Sequence, residues 1–124
     1  MRVVDPGHVY ELQALDMLDE DSCLPPLVFV KREGEKYPGN IGHHGGTNCQ
    51  EVLRAVFDRL GYLDRQIEDS RNQKCRYLIA EAIELLEARA ADRHGRPRPT
   101  RIEAVAGKTC RKCGHVGCAE EEES

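Results

Sequence analysis

The chain has 124 residues, six cysteines, no tryptophan and a formal net charge of −4. That length fits one domain, or one small domain with tails, and a 40% apolar, 32% charged composition gives it limited capacity to build a core. The acidic total argues against general DNA or RNA binding, which is normally the work of a basic domain. No apolar run approaches the ~20 residues of a membrane span, and "MRVVDPGHVYEL" lacks the apolar stretch of a secretory leader. A cytoplasmic location is therefore expected, where cysteines serve as thiols or metal ligands rather than disulfides.

Residues 1–46 read as short β-strands and a glycine-rich loop. "RVVDPGHVYELQAL" and "LVFVKRE" carry β-branched and aromatic residues and are separated by the turn signals of "EDSCLPP". Two or three strands are expected, followed by the loop "GEKYPGNIGHHGG". His43, His44 and Cys49 sit at the junction with the next element. Neighbouring side chains diverge along an extended backbone, so His43 and His44 do not readily share one ion. The glycines allow a close backbone approach, and a helix start behind them favours anions. The Lys-Ser/Thr of a phosphate-binding Walker loop is missing, however. Two readings remain: a helix cap with a plain loop, or a loop that contacts a ligand.

Residues 47–95 read as a helical hairpin. Leu53, Val56, Leu60, Leu63 and Ile67 recur at alternating steps of three and four, which predicts one helical seam. Asn48 with Glu51 has the spacing of a capping box, and Ser70 with Gln73 repeats it at the second helix. The second apolar line runs Cys75, Ile79, Ala82, Leu86 and Ala90, and Gly95 supplies a stop before Pro97 and Pro99. The linker is so short that the helices must fold back antiparallel. Two such helices leave apolar surface over, which predicts a homo-oligomer. Asp58, Asp64, Glu81, Glu84 and Glu87 have the spacings of solvent-exposed helix faces with arginine partners.

Residues 96–124 read as a tail in which only "IEAVA" has packing capacity. Basic residues crowd the stretch from Arg89 to Lys112, and the chain ends in "EEEES". Within the tail, Cys110, Cys113, His115 and Cys118 form C-x2-C-x-H-x2-C. Thiolates and imidazole suit a structural zinc, although the set is compact for a tetrahedral site; the alternative is a free cysteine-rich tail. The overall expectation is an α+β fold: short N-terminal antiparallel strands, a long antiparallel two-helix hairpin and an extended cysteine-containing tail.

No nucleophile with a base, and no carboxylate pair with a reason to be buried, argues for an enzyme. Arg89 and Arg93 lie four apart and so share a face. Guanidinium groups grip phosphate bidentately and stack on bases. The competing reading is an ordinary surface pair near a helix C-terminus, where positive charge is favourable.

Taken together, "DRL", a short loop, "RN" and then "AEAIELLEARAADR" resemble the helical-hairpin domain of phage anti-CBASS and Thoeris anti-defence sponge proteins. The matching positions are Asp58, Arg59, Leu60, Asn72, Glu81, Ala82, Leu86, Arg89 and Arg93, and the resemblance spans about residues 47–94. The N-terminal strands and cysteine tail lie outside it. It implies a homo-oligomer, often a hexamer, that encloses cyclic di- or trinucleotides or glycocyclic ADP-ribose without cleaving them, in the host cytoplasm. By motif position Asn72, Arg89 and Arg93 contact ligand. Tyr62, one residue from the family's aromatic place, would stack on a base, and Lys36 with the loop from Tyr37 to Gly46 would close over it. The chain departs from the family at Ser70, where arginine is frequent, and at "HGRPRPT", where a glycine-rich segment is usual. The alternative function is a small zinc-containing adaptor whose oligomeric hairpin binds protein. A cyclic-nucleotide-degrading enzyme is a third reading.

Overall fold

The computed structural model describes residues 1–19, 21–107 and Val116. The chain divides into two compact units, Met1–Asn48 and the residues from Cys49 onward.

The first unit is a three-stranded antiparallel sheet in the order β1 (Arg2–Asp5), β2 (Val9–Glu11), β3 (Leu27–Val28). The β1–β2 connection follows from its residues. Pro6 fixes one turn dihedral and Gly7 adopts φ +73°, the pairing that suits the two central positions of a type II turn. The His8 amide closes the turn by donating to the Asp5 carbonyl at 3.0 Å. Register then sets Arg2 against Glu11, where the side chains form a 2.7 Å ion pair, and Val3 against Tyr10. Beyond β3, the amides of Val30 and Lys31 donate to the carbonyls of Thr47 and His44, and the amides of Thr47 and His44 return bonds to Val28 and Lys31. The glycine loop is thus stitched back onto the sheet.

Gly46 shows why that loop needs glycine. A Cβ there would lie 2.5 Å from the Phe29 carbonyl carbon and 2.7 Å from both the Val28 oxygen and the Val30 nitrogen. The close backbone approach predicted for this loop is real, and what approaches is the protein's own strand.

The second unit contains α1 (Cys49–Gln66), α2 (Ser70–Arg93) and α3 (Arg101–Ala106). The cap of α2 is Asp69, whose carboxylate accepts from the Arg71 amide, rather than the expected Ser70. Asp64 sets this register: its carboxylate accepts the Asp69 amide at 2.9 Å and reaches Asn72 and Gln73 at 3.5 Å. At the far end Gly95 takes φ +63°, the Gly95 amide bonds the Asp92 carbonyl and the Arg96 amide bonds the Ala91 carbonyl. This is the Schellman termination that the glycine predicts.

On α2 the hairpin closes along a seam displaced by one position from the apolar line in the sequence. On α2 the buried residues are Ala80, Ile83, Glu87 and Ala91, while Cys75 is exposed and Ile79, Ala82, Leu86 and Ala90 are half-buried. On α1 the buried residues are Gln50 and Gly61; of the predicted line, Leu53, Leu60 and Leu63 are half-buried while Val56 and Ile67 are exposed. Gly61 lets the Arg76 guanidinium pass, since a Cβ would meet it at 3.0 Å. That guanidinium lies 4.0 Å from the Phe57 ring centroid and donates to the Phe57 carbonyl at 3.1 Å.

Glu87 overturns its expected place on a solvated face: it is fully buried. Arg54 of α1 supplies the reason. Its guanidinium meets Glu87 at 2.7 Å and donates twice to the Ala104 carbonyl, at 3.1 and 2.8 Å. The second carboxylate oxygen of Glu87 accepts the Val116 amide at 2.9 Å. Both charges are neutralised and hydrogen-bonded, which is what burial of an ion pair requires. The one stretch of the tail with packing capacity, "IEAVA", does pack, as part of α3. Thr100 and Glu103 form a capping box that starts α3, Arg101 pairs with Glu84 at 3.2 Å, and Ala104 is buried.

Removing one partner of this pair strands a buried charge, so Arg54→Ala is expected to cost about 3–5 kcal/mol. Replacing both, Arg54→Met with Glu87→Leu, is expected to cost clearly less. Urea denaturation of the two variants beside the wild type measures the difference.

Candidate functional site

Helix α2 positions the strongest candidate. At about 100° per residue, Arg89 lies on the side opposite the buried line of Ala80, Ile83, Glu87 and Ala91, and Arg93 follows one turn later. Both are exposed. Most other arginines of the second unit are engaged: Arg54 with Glu87, Arg71 with Asp69, Arg76 with Phe57, Arg98 with Asp92 and Arg101 with Glu84. Arg89 and Arg93 have no carboxylate, carbonyl or ring partner among the described residues. The acids nearest in sequence are both occupied: Glu87 holds Arg54 and the Val116 amide, and Asp92 is taken at 2.9 and 2.7 Å by Arg98. That contact holds the Asp92 carboxyl below its usual range. The outcome, among the described residues, is two exposed guanidinium groups one turn apart with no acidic partner.

The other expected contact residues lie elsewhere. Asn72 and Arg89 are roughly 26 Å apart along one helix axis at about 1.5 Å per residue, too far for one small ligand to bridge within a chain. Asn72 is half-buried, with its amide nitrogen 3.5 Å from Asp64. Tyr62 is 45% exposed near the end of α1; its hydroxyl accepts from Gln66 and the Arg59 guanidinium lies 5.3 Å from its ring centroid. Tyr62 and Asn72 thus flank the interhelical turn, whereas Arg89 and Arg93 sit at the opposite end of α2. Lys36 is exposed in the first unit, in the turn after β3. The following loop is pinned there, with Asn40 donating to the Arg32 carbonyl and the Gly42 amide to the Glu33 carboxylate. Cys110, Cys113, His115 and Cys118 lie outside the described residues. Among the described residues no group of three or more His, Cys, Asp or Glu side chains could hold a metal ion.

Sequence reasoning missed one cluster in the first unit. Asp5 and His8, brought together by the Pro-Gly turn, share a 2.9 Å contact through Nδ1. The Lys31 ammonium approaches the same carboxylate at 3.4 Å, and the His8 and His44 rings lie 5.0 Å apart. The His8 hydrogen bond, with help from Lys31, holds the Asp5 carboxyl below its ordinary range. The signal was present in "DPGH", since a four-residue turn places its first and last side chains side by side. Lys31 and His44 needed the strand pairing. The cluster has no nucleophile, and its contacts tie β1 to the segment beyond β3.

Helix α2 also carries Lys74, 5.6 Å from the Tyr77 ring centroid. No helix among the described residues is long and apolar enough to cross a membrane. Comparisons with protein-family models, with curated proteins and with solved structures find no match for this chain.

The lowered Asp5 value has a definite consequence. Stability from a depressed carboxyl is complete above its unfolded value of 3.8 and is lost as pH falls through the lower folded value. The sheet's β1 and β2 amide signals are therefore expected to lose thermal stability below about pH 4. In Asp5→Asn that acid-dependent loss is expected to be smaller, from a lower starting stability at neutral pH. NMR-monitored melts of the two proteins across that range check it.

Proposed function

We propose that the protein is a non-enzymatic sponge that captures a phosphate-bearing cyclic nucleotide messenger and so blunts CBASS or Thoeris signalling. The observation that carries the binding half of this reading is the free Arg89–Arg93 pair. Two guanidinium groups with no carboxylate to satisfy them are ready donors for phosphate oxygens, and holding them on a capped helix limits the entropy lost on binding. The choice of a cyclic nucleotide rests on the hairpin's resemblance to anti-defence sponges.

Asn72 and Tyr62 enter such a site only from a second protomer, because α2 separates them from the arginines in their own chain. An oligomer, a hexamer by the same resemblance, is part of the reading. Arg89 and Arg93 bind phosphates, Asn72 contacts a base or ribose edge, and Tyr62 supplies an aromatic face. No bond is broken, and bound messenger is released intact on heating.

Each charged hydrogen bond to phosphate contributes about 1.5–3 kcal/mol. Arg89→Ala with Arg93→Ala is therefore expected to weaken capture by at least about 100-fold while leaving the hairpin's melting unchanged, since both side chains are exposed and neither has a hydrogen-bond, ion-pair or ring partner among the described residues. Native mass spectrometry against a panel of cyclic di- and trinucleotides and glycocyclic ADP-ribose reads the loss. Undiminished binding in the double variant contradicts the site.

A further inference from the structure

The outward face of α2 has a pattern that reads the same in both directions. Opposite the buried line lie Lys74, Leu78, Ala82, Leu85 and Arg89, with Leu78 50% and Leu85 65% exposed. Ala82 is at the middle, a leucine flanks it on each side, and a basic residue stands beyond each leucine. The contacts made by α1 and α3 fall on other sides of the helix. Arg76 and Glu87 meet α1, while Tyr77 and Glu84 meet Arg101 of α3. Among the described residues of the second unit, the leucine face is thus unpartnered.

An isologous two-fold contact requires a self-complementary surface, and this face has that property about Ala82. We propose that α2 pairs antiparallel with α2 of a second copy, Ala82 on the two-fold axis and Leu78 against the partner's Leu85, and that each end of the pair completes an anion site from Lys74 of one chain and Arg89 and Arg93 of the other. The small residue at the centre lets the helices approach closely. The outer positions bring like charges together, an arrangement that an anion between them relieves.

Magnitudes decide how the pair behaves. Helix α2 is about 36 Å long. A contact strip about 10 Å wide along it covers roughly 400 Å² per copy, about half of the ~800 Å² per partner in a standard interface. The leucine contact alone is weak, and repulsion at both ends weakens it further. Pairing is therefore linked to anion binding, and by reciprocity the anion binds more tightly to the pair than to the single chain. The anion linkage rests on the proposed function; the leucine surface comes from the exposure and symmetry of α2.

The test uses the full chain with inorganic pyrophosphate as probe, with binding followed by calorimetry and mass by sedimentation equilibrium in the same samples. Pyrophosphate is expected to bind and to raise the average mass toward the pair. Leu78→Glu with Leu85→Glu, and separately Leu78→Lys with Leu85→Lys, are each expected to abolish that rise. Mixing the two variants is expected to restore it as a heterodimer, which also shows that both are folded. Pyrophosphate binding with no change in mass overturns the pairing and leaves the proposed function standing. No binding at all removes both. Mass gain that survives in the glutamate variant, or a mixture that fails to associate, places the contact elsewhere and overturns the surface.

Discussion

The ion pair between Arg54 and Glu87 organises the helical unit. It joins α1 to α2, and through the Ala104 carbonyl and the Val116 amide it adds α3 and a point on the chain beyond it. A charge pair is an expensive centre for a small core, because each ion must regain inside the protein what it loses in hydration. Here every arm is occupied. The guanidinium serves Glu87, Ala104 and, at 3.1 Å, Glu51, and both carboxylate oxygens accept. The return is directional: an apolar seam tolerates sliding, whereas this network fixes how far α1 and α2 advance past each other. The buried apolar side chains around it, Ala80, Ile83, Ala91, Ala104 and Val116, are mostly small, so the polar centre supplies specificity that packing alone would provide poorly.

That economy explains the surface. Burying a stripe with glutamate at its centre turns Leu78 and Leu85 outward, and with them Arg89. The free arginines and the exposed leucines are two results of one rotation of α2. The loose ends of the hairpin are fastened separately. Asp64 and Asp69 hold the interhelical turn, their carboxyls kept below the ordinary range, Asp64 chiefly by the Asp69 amide and Asp69 by Arg71. Arg98 removes Asp92 from competition for Arg89 and Arg93. The functional proposal therefore depends on which arginines the scaffold consumes and which it leaves.

Much of this was legible in the sequence. The strands, the antiparallel hairpin and the stop at Gly95 follow from β-branched runs, helical periodicity and a residue able to take positive φ. The rotation of the helices was not legible. An apolar pattern passes over Glu87, Arg54 and Gly61, yet those residues line the true seams, because two opposite charges and an absent side chain fit where two hydrophobes were expected. Ser70 lost the cap to Asp69 for a local reason: Asp64 engages the Asp69 amide and sets the turn. The Thr100–Glu103 box was visible as T-x-x-E, but prolines and charge around it gave the segment the look of a tail. At the candidate site, the four-residue spacing of Arg89 and Arg93 was readable. Their lack of partners among the described residues was not, since it depends on Arg98 reaching Asp92. The distance of Asn72 from them follows from helix length alone.

The central claim is a division of labour between an internal guanidinium that holds the fold and an external pair that binds. Arginine Nε–H NMR during a pyrophosphate titration tests it directly. The account predicts that the Arg89 and Arg93 resonances move in a saturable way while the Arg54 resonance stays fixed. Movement at Arg54 with Arg89 and Arg93 unchanged would contradict it.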